Sequence, residues 1–134
     1  MNWKRYWLSV VAVFIGRGLV SFLLFAVAFD SIYSQSMPGS RPEGEEVHAA
    51  GFISVLAWSL AFAYIFTKGY ENKGWMEGIR YGLLVWVFYF IPMLTGYYAY
   101  FDLPLDFVLA GMASGLAESL TAGVLAAVIY KPKS

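Results

Sequence analysis

Arg17 and Glu118 are the ionisable residues that stand deepest inside apolar stretches of this chain, and any chemistry it performs has to be sought there first. Arg17 interrupts an apolar and small-residue run over 6–29, and Glu118 falls near the centre of another over 105–130. A charged head group in hydrocarbon is costly, so each must face protein, meet a counter-charge or be neutralised. Counted from one common boundary at 1.5 Å rise per residue, both lie roughly 16–18 Å deep, and two antiparallel helices would bring them level. Gly16 and Gly18 flank Arg17 and leave room for its guanidinium. A direct or water-bridged Arg17–Glu118 pair is therefore expected. Arg80 is the rival partner for Glu118, but its Cα lies roughly 10 Å shallower and snorkelling toward the headgroups satisfies it more easily. Such a pair could be a clasp that fixes the fold, a binding or relay site inside the bundle, or a contact to another subunit.

Other chemistry is thinly equipped. The single histidine, His48, sits beside Glu45 and Glu46 at the end of an apolar run, with no second strong ligand at helical spacing, so no metal site is expected. No histidine lies within an apolar run to ligate haem, and the absence of cysteine excludes disulfides, Cys zinc sites and a thiolate nucleophile. No Ser-His-Asp set, phosphate loop, dinucleotide fingerprint or basic nucleic-acid patch is present. No catalytic residue is assigned, no cofactor and no nucleic acid are expected, and whether the protein is an enzyme stays open, leaning to no. A membrane enzyme acting on a lipid or quinone would have to work with one Glu and one Arg.

The elements that must position Arg17 and Glu118 follow from composition. Of the 134 residues, 60% are hydrophobic and 13% charged, against about 25% charged in soluble domains. At ~20 apolar residues per crossing, the chain holds four spans, at about 6–29, 49–67, 75–100 and 105–130, in one domain covering 1–134. A loop over 30–48, rich in Ser, Pro and Gly and carrying Glu43, Glu45 and Glu46, joins the first two spans, and short turns over 68–74 and 101–104 join the rest. The expected fold is all-α: an integral membrane four-helix bundle with antiparallel up-down topology. A cleavable signal peptide competes for the first run, but Arg17 would then stand inside its apolar core.

Charge orients the bundle. The side bearing both ends of the bundle holds Lys4, Arg5, Lys68, Lys73, Arg80, Lys131 and Lys133 against Glu71 and Glu77. The other holds Arg41 against Asp30, Glu43, Glu45, Glu46, Asp102 and Asp106. The positive-inside rule puts both termini in the cytoplasm and the 30–48 loop outside. Multi-pass insertion in a bacterial inner membrane is expected, with the lipid bilayer as its surroundings.

Packing signals are concentrated in the last span, where Gly111, Gly115, Ser119 and Gly123 recur at four-residue spacing and Glu118 flanks the same face. Small-residue ridges let membrane helices approach closely. The third span has its own Gly78–Gly82 pair near the cytoplasmic end, where Glu77 and Arg80 are spaced to pair and to anchor at the anionic leaflet. Pro92 should kink that span, and its aromatic run Trp86, Phe88, Tyr89 and Phe90 covers every face, as core and lipid packing require.

The segment KGYE followed by EGIRYG, within 68–82, and the closing LAESLTAGVLAAVIYKP resemble a small bacterial family of uncharacterised four-span membrane proteins. The resemblance implies the four-helix architecture, marks Glu77, Arg80 and Glu118 as its recurrent polar positions, and implies no activity.

Two functional expectations result. The first is a non-catalytic subunit or interaction partner of a membrane complex, meeting another membrane protein or a second copy of itself and held by an Arg17–Glu118 clasp. The alternative is a carrier or binder of a small molecule, ion or lipid that uses Glu118 and Arg17 inside the bundle.

Overall fold

A computed structural model describes residues 1–28, 31, 41–42 and 44–130. Most of the 30–48 connection, including Asp30 and Glu43, and the tail with Lys131 and Lys133 lie outside the described residues. Among the described residues the chain forms four helices long and apolar enough to cross a membrane: α1 (Trp3–Ala28), α2 (His48–Lys68), α3 (Trp75–Tyr100) and α4 (Leu105–Ile129). The protein is a multi-pass membrane protein, and many of its large apolar side chains, among them Leu19, Phe22, Leu84 and Phe88, point away from the protein.

Local chemistry sets the ends. The Asn2 side chain caps α1 by accepting from the Arg5 N–H at 3.2 Å. Pro104 precedes α4 in extended conformation, and Asp106 lies in its first turn, where the helix dipole favours a carboxylate. The turn over 69–74 places Asn72 at φ 59° and Gly74 at φ 78°, ψ −163°; the second conformation is essentially restricted to glycine.

α4 is the hub. Its apolar window is 44% buried, against 11–22% for the other three helices. It packs on α1 and on the first half of α3, and α1 in turn carries α2. Neighbours run antiparallel: the Asn2 N–H reaches the Tyr130 hydroxyl at 3.4 Å, joining the start of α1 to the end of α4. Phe14 meets Phe52, and Tyr6 meets Tyr64, as α1 and α2 pass in opposite directions. Aromatic side chains close the ring between α2 and α3, with Phe62 4.6 Å from Tyr81 and Trp58 6.5 Å from Phe90 between ring centroids.

The α4 ridge divides its labour. A Cβ on Gly78 would overlap the Gly123 carbonyl, one on Gly123 the Gly78 carbonyl, and one on Gly82 the Ser119 carbonyl. There the two backbones touch. Gly115 and Gly111 instead receive side chains, the Phe90 ring and Leu94. Ser119 is fully buried at this crossing, and its hydroxyl has no hydrogen-bond partner among the described residues; size is what its position requires.

Ahead of Pro92, α3 widens into a π turn over Trp86–Phe90, where the Ile91 N–H donates to the Trp86 carbonyl five residues back. Proline removes one N–H and crowds the carbonyl four residues earlier, and the π turn absorbs that misfit. It leaves Phe88 exposed and Phe90 buried against α4.

Gly78→Ala should lower the thermal midpoint of the detergent-solubilised protein by the equivalent of about 1–3 kcal/mol, the usual range for overpacking. Gly51→Ala, which has open space around it, should leave the midpoint unchanged. Equal midpoints for the two variants would contradict the backbone crossing.

Candidate functional site

The register of α1 places Arg17 and Ser21 one turn apart on the face turned to α4, whose central turn presents Glu118. Arg17 Nε lies 3.3 Å from Glu118 Oε2, with 14% and 6% of the two side chains exposed. Ser21 lines the same cavity as this pair. The guanidinium lies over the Trp58 ring of α2, 4.2 Å from its centroid. Three helices thus hold one polar centre. A cation stacked on a desolvated indole gains on the order of 2 kcal/mol, and the indole also covers the guanidinium from lipid.

Arg17 meets Glu118 through Nε alone, so its two terminal nitrogens make no hydrogen bond among the described residues. They are not sealed in, because Arg17 lines a cavity of about 240 Å³ together with Ser21 and Glu118. Phe25, Phe90, Met93, Leu94 and Phe107 form its apolar walls. By helix register it runs from the level of the polar centre toward the ends of α1 and α3 and the start of α4. The glycines at 111 and 115 line it too, but the room beside each is taken by a side chain, Leu94 and Phe90, and these are themselves cavity walls. The arrangement can bind: a forked donor and a carboxylate lie at the bottom of an apolar recess. Among the described residues it offers no metal-ligand set.

The structure brings Arg17 and Glu118 together and leaves Arg80 exposed on the outside of α3. Glu77 does not pair with Arg80 among the described residues; its two oxygens accept the backbone N–H groups of Glu71 and Lys73, tying the 69–74 turn to the head of α3. In that turn Lys73 pairs with Glu71, and its hydrogen bond and charge hold the Glu71 carboxyl below the ordinary range. Burial raises the neighbouring Tyr70 hydroxyl above its ordinary value, and Glu77 adds to the rise.

Sequence reasoning missed Trp58 and Ser21, and it read Trp86 only as packing. Trp86 Nε1 donates to the Met112 carbonyl at 2.8 Å, fastening the π turn of α3 to α4. A signal was present for both tryptophans: they stand in mid-span, away from the interfaces where tryptophan concentrates, and a buried indole N–H or ring face needs a partner.

A family model described as "Protein of unknown function (DUF1761)" matches residues 8–127, a range that includes both Arg17 and Glu118. No curated protein and no solved structure matches the chain.

Arg17→Ala and Glu118→Ala should each cost about 3–5 kcal/mol, because each leaves the other buried head group without its partner. Arg17→Met combined with Glu118→Leu should recover most of that loss. Thermal unfolding in one detergent checks the cycle; single variants as stable as the parent would show that the contact contributes nothing.

Proposed function

The chain belongs to the DUF1761 family of proteins of unknown function, and on that premise we propose that it is a membrane-embedded binding protein for a small amphipathic molecule. The apolar part of the ligand fills the recess between α1, α3 and α4, and a hydrogen-bond-accepting head, such as a carbonyl or carboxylate, meets the free fork of Arg17. Glu118 is ionised in this reading and holds Arg17 as an intramembrane salt bridge. One observation carries the proposal: a cavity of about 240 Å³ opens on the buried polar pair itself. At ~30 Å³ per water in the liquid, the space matches a compact ligand or one end of a longer one.

Buried ionisable groups in a membrane face protein or a water-filled path and mark sites of binding or transfer. A purely structural clasp would be better served by a closed bundle centre. A carrier would need the recess to become accessible from both sides; a binder needs only the one opening.

The orientation proposed for this protein has both termini in the cytoplasm of a bacterial cell, in the inner membrane. Lys4, Arg5, Lys68, Lys73 and Arg80 gather at one end of the bundle, against Asp102 and Asp106 at the other. A phosphatase reporter that works only outside the cytoplasm, fused after Ser134, should be silent; strong activity would reverse the orientation.

The ligand itself is tested by purifying the full chain in mild detergent and analysing its organic extract by mass spectrometry. The parent should retain a stoichiometric small molecule that the Arg17→Met/Glu118→Leu variant loses while staying folded. Equal extracts would end the binding reading. A stoichiometric protein copurifying with a parent whose extract is empty would establish the competing role, a non-catalytic subunit of a membrane complex.

A further inference from the structure

Close to the 69–74 turn, α2 and α3 are kept apart by aromatic side chains; their backbones make little direct contact among the described residues. Tyr81 bridges the gap, its hydroxyl donating to the Phe62 carbonyl at 2.9 Å and its ring centroid 5.4 Å from that of Phe66. A cavity lies on each side of Tyr81. One, of about 350 Å³, is lined by Arg80, Lys73, Glu71, Glu77, Ile65 and Leu84 at the turn end. The other, of about 200 Å³, is lined by Trp58, Ala61, Val85 and Tyr89 toward the bundle middle. The seam is therefore polar at its mouth and apolar beyond it.

The charges at the mouth are unevenly satisfied. Glu77 is held by two backbone N–H groups at the head of α3, where the helix dipole also favours it. Lys73 is paired with Glu71. Arg80, exposed one turn further along α3, has no hydrogen bond or ion pair among the described residues, while the carboxylates that line the cavity with it are engaged elsewhere, Glu71 by Lys73 and Glu77 by backbone N–H groups. From Arg80 to Tyr89 is nine residues, or ~14 Å of helix. That is close to half of the ~30 Å hydrocarbon core, the depth reached by one acyl chain of one leaflet.

We infer that this seam is a binding site for a single anionic phospholipid, its phosphodiester on Arg80 and one acyl chain lying over Tyr81 toward Trp58 and Tyr89. The arginine fork suits a phosphate geometrically, and the apolar half of the seam suits a methylene chain. Phospholipid, rather than free phosphate, is the occupant, because the polar mouth and the apolar cavity follow one another along the same α2–α3 seam, one on each side of Tyr81. The site lies on the opposite flank of α3 from the Phe90 and Leu94 recess and does not depend on the ligand proposed for that recess.

Native mass spectrometry of the full chain, titrated with phosphatidylglycerol in detergent, tests the assignment. The parent should hold one tightly retained lipid. Arg80→Gln should weaken its retention by about fivefold, the scale of one basic residue near an anionic headgroup. Ala61→Phe, which fills the apolar half without altering charge, should weaken it as well, and Arg5→Gln should not. Glycerol 3-phosphate, a headgroup without chains, should give no adduct. Undiminished retention in either seam variant, an equal loss in Arg5→Gln, or a glycerol 3-phosphate adduct as persistent as the lipid would each overturn the inference.

Discussion

Two ionisable head groups at one depth in an apolar layer form the constraint that the rest of this bundle serves. Neither Arg17 nor Glu118 can be left facing acyl chains, so α1 and α4 must lie side by side, in register and antiparallel. Once they do, the other helices are disposed around the contact. α2 supplies the Trp58 face that covers the guanidinium, and α3 supplies the Phe90 and Leu94 walls beyond the carboxylate. Burial follows the same logic: α4, which touches the pair and two neighbours, is the most enclosed helix, and α1 offers most of its surface to lipid.

Polar tips on apolar bodies do much of the remaining fastening. The Tyr6, Tyr81 and Trp86 side chains each donate to a backbone carbonyl of another helix, at Leu60, Phe62 and Met112. A helical carbonyl has a second lone pair available beyond its own ladder, so these contacts need no break in the acceptor helix. In a layer without competing water, they link helices that hydrophobic attraction cannot pull together. The α2–α3 boundary relies on such side chains, whereas α3–α4 adds backbone contact to the Trp86 bond.

The four-span architecture was legible because it needs only length and apolarity, which 60% hydrophobic residues in four runs supply directly. The levelness of Arg17 and Glu118 was legible too, since helical rise converts residue number into depth. The division of the α4 ridge was not. Gly111 and Gly123 look alike in sequence, yet one faces a leucine side chain and the other a glycine backbone, and the difference lies in the opposite helix. The π turn ahead of Pro92 was equally hidden: proline announces a disturbance but not whether the chain bends or widens to absorb it. The mid-span position of Trp58 announced a partner but not which one: that α2 reaches α1 at the level of Arg17 is a packing fact that no local pattern encodes.

The Gly78–Gly123 crossing has an evolutionary corollary. Where two side chains collide, enlargement of one can be relieved by trimming the other, and lineages drift through such exchanges. Here main chain meets main chain, and neither partner has anything left to trim. The two positions cannot rescue each other by reciprocal substitution, so an enlarged residue at either site can be accommodated only by moving a whole helix.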